Sequence, residues 1–114
     1  MKVVICGAGR VGFGIASRLA SENNDVTVVD TSPSLIRKIT TDLDVKGLVG
    51  HGSDPVILKQ AGVENADMII AVTHTDEVNM IACQVAHSLF SVPTKVARVR
   101  AQNYLLKEYS DLYS

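Results

Sequence analysis

Val3-Val4-Ile5-Cys6-Gly7-Ala8-Gly9-Arg10-Val11-Gly12 stands almost at the start of the sequence, and its reading decides the fold. Four apolar residues make a strand-sized run, and glycines at 7, 9 and 12 make a G-x-G-x-x-G turn. Val11, Ile15, Ala16, Leu19 and Ala20 then recur at three- and four-residue steps to about Ser21, as on one face of a helix. The glycine string alone is weak, because small residues are common. A strand directly before it and a helix directly after it are what a dinucleotide-binding turn demands. In such a turn Gly7 permits the tight bend and Gly9 lets the backbone approach a pyrophosphate. Gly12 lets the helix lie close on the strand, and the free N–H groups of the helix start face the phosphates.

Four more apolar runs follow, at residues 26–29, 46–49, 68–72 and 95–99, each separated from the next by a helix-like segment. Ser32-Pro33 forms an N-cap and first helical position ahead of Leu35, Ile36, Ile39 and Leu43. Asp54-Pro55 starts a third helix, kept short by Gly62, which can take a left-handed cap conformation. The fourth runs from Thr75 to about Phe90 on a stripe of Val78, Ile81, Ala82, Val85, Ala86 and Leu89, and Pro93 prevents its continuation. The order β-α-β-α-β-α-β-α-β, with continuous rather than alternating apolar runs, predicts strands covered on both faces. The fold class is α/β: a Rossmann-like doubly wound parallel β-sheet with helices on both faces. After Val99 a turn and short helix are expected over residues 101–106, and residues 107–114 are polar with two tyrosines. A six-stranded version of this fold wants another strand beyond, so residues 1–114 are expected to form a single domain that is a fragment of a longer chain.

Asp30 ends the second run, 23 positions after Gly7. That is the place of the acidic residue that accepts hydrogen bonds from an adenosine ribose, and it favours NAD over NADP, whose 2′-phosphate would meet a like charge. Arg10, inside the turn, can form a charge-assisted pair with a phosphate or project into solvent. His51 and His74 fall in loops after strands, where ligands of open α/β sheets bind, but position alone makes neither a catalyst. Asp76, Glu77 and Asn79 open the fourth helix, where acidic groups suit the helix dipole and Asn79 could touch a ligand.

Eleven basic and twelve acidic residues leave a net charge of −1, so no field attracts nucleic acid or anionic lipid. The longest apolar run is strand-sized, far from the roughly 20 residues that cross a bilayer, so direct membrane insertion is not expected. No basic leader with an extended apolar segment opens the sequence, and a cytoplasmic location is the default. Cys6 and Cys83 read as core thiols; Cys83 and His87 are four positions apart but lack a second pair to complete a metal site.

Beyond the glycine turn, Glu22-Asn23-Asn24-Asp25-Val26-Thr27-Val28-Val29-Asp30, Gly50-His51-Gly52-Ser53, Thr75-Asp76-Glu77-Val78-Asn79-Met80 and Val96-Ala97-Arg98-Val99-Arg100 carry a more specific likeness. The whole sequence resembles the nucleotide-binding domain that regulates conductance of potassium (RCK, also called KTN or TrkA-N), most closely the copy in Trk-type potassium uptake systems of bacteria. By that resemblance Gly7, Gly9, Arg10, Val11 and Gly12 would hold phosphates, and Asp30 and Thr31 the adenosine ribose. Gly52, Ser53 and Asp54 would border the adenine, and Val72, Thr73 and His74 would follow the fourth strand into the pocket. Asn79 would stand at the next helix, and Arg98 on the fifth strand near the site. Val78 replaces a usual threonine, and Arg10 a frequent glutamine; the second change leaves the choice among NADH, NAD and ATP open.

The resemblance implies a non-enzymatic regulatory domain that binds NAD(H), with ATP or ADP as alternatives, and couples nucleotide state to a membrane potassium transporter subunit. It implies a homo-oligomer of such domains, at least a dimer, peripheral at the inner face of the cell membrane through its transporter partner. Spare apolar residues on the fourth helix, with Tyr104, Leu105 and Leu106, are candidate assembly surfaces. Two rivals share the glycine turn: the cofactor-binding domain of an NAD-dependent dehydrogenase, and a structural dimer domain with a vestigial pocket. The dehydrogenase would need a catalytic domain to set a substrate against the nicotinamide.

Overall fold

The computed structural model describes residues 1–106; the polar stretch 107–114 lies outside the described residues. Five strands, β1 (Lys2–Cys6), β2 (Asp25–Asp30), β3 (Lys46–Val49), β4 (Met68–Ala71) and β5 (Thr94–Ala97), pair in parallel in the order β3-β2-β1-β4-β5. The helices are α1 (Arg10–Ser21), α2 (Pro33–Asp42), α3 (Pro55–Gln60) and α4 (Asp76–Phe90), with short 3-10 turns at Val63–Asn65 and Gln102–Leu105. This is the expected doubly wound sheet.

Alternation along β1 shows why helices lie on both faces. Val3 and Ile5 join Ala16 of α1 and Ile36 and Ile39 of α2 in one core, while Val4 and Cys6 join Leu58 of α3 and Ala82 and Ala86 of α4 in the other. Val3, Val4 and Ile5 have no exposed surface, and each such side chain contributes about 1.5–3 kcal/mol over an exposed one. Coverage on both faces holds for β1, β2 and β4. It fails at the edges: β3 keeps three exposed residues, and β5 alternates exposed with half-buried positions, because each has a neighbour on one side only.

The helix ends follow local chemistry. The Ser32 hydroxyl accepts the Leu35 N–H at 3.2 Å, and the Asp54 carboxylate accepts the Val56 N–H at 2.9 Å, each ahead of a proline that needs no partner. Gly62 takes φ +89° beyond the C-terminus of α3, as expected. For α4 the stop differs from expectation. Ser91, not Pro93, turns the chain, with φ +53°, and the Val92 N–H closes back on the Ala86 carbonyl at 3.1 Å.

Four other expectations need correction. Val11 does not face the sheet: it is 41% exposed, while Gly12 and Ala16 are buried as expected. On α4, Ile81 and Leu89 are 50% and 61% exposed; the buried side is Asn79, Ala82 and Ala86. The last two strands end early, β4 at Ala71 and β5 at Ala97, so Val72, Arg98 and Val99 belong to the loops beyond them. Cys83 is half-buried rather than fully in the core.

Candidate nucleotide site

The connections leave β1 and β4 in opposite directions, so a crevice opens at the carboxyl ends of these two neighbouring strands. Each strand end continues its ladder by one hydrogen bond: Gly7 N–H to Val29 O at 2.8 Å, Gly50 N–H to Asp30 O at 2.9 Å, Val72 N–H to Cys6 O at 2.8 Å and Arg98 N–H to Ala71 O at 2.9 Å. The loops that follow therefore start from fixed points. They enclose a cleft of about 420 Å³, within the range of small-molecule sites.

The glycine turn forms the floor of this cleft, and its three glycines do different work. Gly7 has φ +116°, and a side chain there would press on the backbone of Val72 at 2.9 Å. At Gly12 a Cβ would lie 1.8 Å from the Gly7 carbonyl oxygen, so α1 can sit this close to the turn only with glycine there. Gly9 is unlike both. Its φ of −74° is ordinary, and a Cβ there would meet nothing nearer than the His74 Nε2, at 3.7 Å. What keeps that face clear is the cleft itself. Gly9 is also the N-cap of α1, with no side-chain cap bond and no acidic residue in the first turn. The first N–H groups of α1 lack helical acceptors, and the helix dipole adds partial positive charge where they point. This floor suits an anion.

Asp30 stands at the end of β2. Its Oδ2 accepts the Ala8 N–H and its Oδ1 accepts the Ser32 N–H, both at 2.8 Å. The carboxylate thus fixes the glycine turn to the start of α2 while still lining the cleft. Each oxygen keeps acceptor capacity for a hydroxyl group.

The opposite wall is residues 72–75, and it is tied down from behind. Asn79, fully buried, accepts the Thr73 N–H at 2.8 Å and the Thr73 hydroxyl at 2.7 Å, and it donates to the carbonyls of Thr73 at 3.1 Å and Arg98 at 2.9 Å. The Arg98 Nη2 donates to the carbonyls of Val72 at 3.1 Å and Thr73 at 2.8 Å, while its buried Nε has no acceptor among the described residues. Arg100 Nη2 donates to the His74 carbonyl at 3.0 Å. The Asp76 carboxylate takes the N–H groups of Arg100 and Ala101 at 3.0 and 2.8 Å, which holds it below its ordinary value of 3.8. The Tyr104 hydroxyl donates to Glu77 at 2.9 Å.

Of the residues expected at the site, Gly7, Gly9, Arg10, Val11, Asp30, Thr31, Gly52, Val72, Thr73, His74 and Arg98 line the cleft. Four do not. Gly12 is closed off by the Gly7 carbonyl, Asp54 caps α3, Ser53 lies outside the lining, and Asn79 sits behind the wall with its amide already saturated. Arg98 stands just past β5 rather than on it. Val29, Leu35, Gly50, Thr75 and Val78 also line the cleft, with no sequence signal pointing to them, and so does His51, one of the two loop histidines. Burial pushes the Cys6 thiol up to about 12 and the Cys83 thiol up to about 11, so neither is a nucleophile near neutral pH.

A model of the TrkA-N domain family matches residues 3–111. A Trk system potassium uptake protein TrkA from Azorhizobium caulinodans is 68% identical over 114 residues, covering all of this chain and 25% of that protein. The chain spans about a quarter of the length of the first curated relatives it matches. A Kef C-terminal domain from Shewanella denitrificans, solved with AMP, superposes with a TM-score of 0.79 at 24% identity, over 96% of this chain and 69% of that one. The GsuK channel bound to NAD superposes with a TM-score of 0.76 at 20% identity, over 99% of this chain and 20% of that one. At these identities the two structures speak to the fold alone.

Proposed function

The chain belongs to the TrkA-N domain family, and from that premise we propose that residues 1–114 are the nucleotide-binding domain of a longer, non-enzymatic regulatory subunit of a bacterial Trk-type potassium uptake system. Its ligand is NAD(H), with ATP or ADP as competing occupants. The observation that carries this reading is the open face of Gly9 beneath the cleft, at the uncapped start of α1. Gly7, Gly9, Arg10 and Val11 would hold the pyrophosphate, and Asp30 and Thr31 the adenosine ribose. Gly52 would border the adenine; Val72, Thr73 and Arg98 would face the other half of the ligand, and His74 would stand beside the pyrophosphate over Gly9. Gly12, Ser53, Asp54 and Asn79 would support the site from behind.

The GsuK channel bound to NAD and the Kef domain bound to AMP support a nucleotide in a fold of this kind. Regulation then follows from differential binding: a nucleotide shifts a subunit between two arrangements only by its difference in affinity for them. The partner is a membrane potassium transporter subunit, engaged from the cytoplasmic side by an assembly of at least two such domains. Calorimetric titration with NADH, NAD, ADP and ATP tests the reading. At least one should bind with a stoichiometry near one per chain; failure of all four would end it. An oxidoreductase would also consume NADH in the presence of a carbonyl substrate, which this domain is expected not to do.

A further inference from the structure

We propose that His74 is a proton-linked phosphate contact, so that dinucleotide binding takes up a proton and weakens as pH rises. The inference rests on the nucleotide reading above and adds a regulator to that site.

The geometry begins at Gly9. A ligand group resting on its open face occupies the space a Cβ would fill, and the first side-chain atom it meets there is the His74 Nε2, 3.7 Å away. An oxygen slightly farther out comes within hydrogen-bond reach of that nitrogen. The same face lies at the positive start of α1, where a phosphate belongs. The imidazole is therefore set over the place where negative charge arrives.

Its backbone is held on every side. Thr73 before it is fastened by Asn79, the Thr75 N–H after it donates to the Thr73 hydroxyl oxygen at 3.2 Å, and its own carbonyl accepts from Arg100. These bonds fix the backbone from which the imidazole extends beside Gly9.

The charged groups around it favour one assignment. Arg10 at the start of α1, Asp30 at the end of β2, His51 after β3 and Arg98 after β5 share the cleft with His74. Arg100 reaches its carbonyl; Asp76 is engaged by the Arg100 and Ala101 amides and Glu77 by Tyr104. Histidine is the side-chain type suited to exchange a proton near neutral pH; the cleft is lined by His74 and His51, and only His74 stands over Gly9. A phosphate beside the ring favours its protonated form, so binding and protonation reinforce each other. One linked proton changes affinity by at most about tenfold per pH unit.

NAD is the probe, because its pyrophosphate does not titrate in this range. Calorimetry in two buffers of different ionisation heat at neutral pH counts the protons taken up on binding. Wild type and His51→Gln should take up a comparable fraction of a proton. His74→Gln should take up none, bind NAD severalfold more weakly than wild type in mild acid, and match it in mild alkali. Uptake that persists in His74→Gln, disappears in His51→Gln, or is absent from wild type while NAD binds would overturn the proposal. Absence of NAD binding at every pH would also overturn the proposal; only failure of NADH, ADP and ATP as well would remove the nucleotide reading beneath it.

Discussion

Asp30 accepts the Ala8 N–H with one carboxylate oxygen at 2.8 Å, so the acidic residue at the end of β2 shapes the glycine turn before any ligand arrives. Its other oxygen takes the Ser32 N–H. Asp30→Ala strands both amides. It should lower stability by about 1–3 kcal/mol in urea unfolding as well as weaken nucleotide binding. A variant that loses binding with an unchanged unfolding midpoint would show that the carboxylate serves the ligand alone.

The glycines can be told apart by alanine substitution. Gly12→Ala drives a methyl group into the Gly7 carbonyl and should cost about 3 kcal/mol or more. Gly14, with nothing within 4 Å of its would-be Cβ, should gain about 0.5–1 kcal/mol from the same change within α1. Gly9→Ala should cost under about 1 kcal/mol, since alanine is only a poorer cap, yet abolish nucleotide binding. Thermal midpoints with matched calorimetry check all three, and full binding by Gly9→Ala would contradict the placing of the phosphates.

Asn79→Ala leaves the Thr73 N–H and the carbonyls of Thr73 and Arg98 short of partners in a buried site. A loss of about 2–4 kcal/mol is expected in urea unfolding, summed over groups that each cost roughly 1–3 kcal/mol when unpaired. Asn79→Leu should not rescue it, because the deficit is polar rather than volumetric. A loss under about 1 kcal/mol would mean that water replaces the amide.

Asp76 supplies a pH signature. Its carboxyl is held below the ordinary 3.8 by the Arg100 and Ala101 amides, chiefly the first. A depressed value means that its contribution is present above the ordinary carboxylate range and is lost as pH falls below it. The amide resonances of Arg100 and Ala101 should therefore shift together on acidification below about pH 4 and stay still in Asp76→Asn. Independent movement of the two amides would show that they do not share this carboxylate.

How much of this was legible in the sequence depends on the kind of signal. The glycine turn, the proline-led starts of α2 and α3 and the apolar runs of β1, β2 and β4 are local and redundant, and they carried the fold. Edge strands mislead, because the sequence of β5 does not say that it has one neighbour. On α4 the apolar stripe rightly includes Ala82 and Ala86, which are buried, but also takes in Ile81 and Leu89, which are exposed, and passes over the buried Asn79. A polar residue in the buried row is invisible to a hydrophobic pattern. Asn79 was expected at the ligand for the same reason: the sequence cannot show that its amide is already spent on Thr73 and Arg98. Val29, Leu35, Gly50, Thr75 and Val78 reach the cleft only because four loops converge, which no single stretch reveals.

Arg98 and Arg100 place their guanidinium groups on the carbonyls of Val72, Thr73 and His74, which makes the cleft's far wall and the chain after β5 one mechanical part. A displacement of residues 98–100 would therefore be felt at those three carbonyls through the two guanidinium groups, as well as at β5 through the backbone.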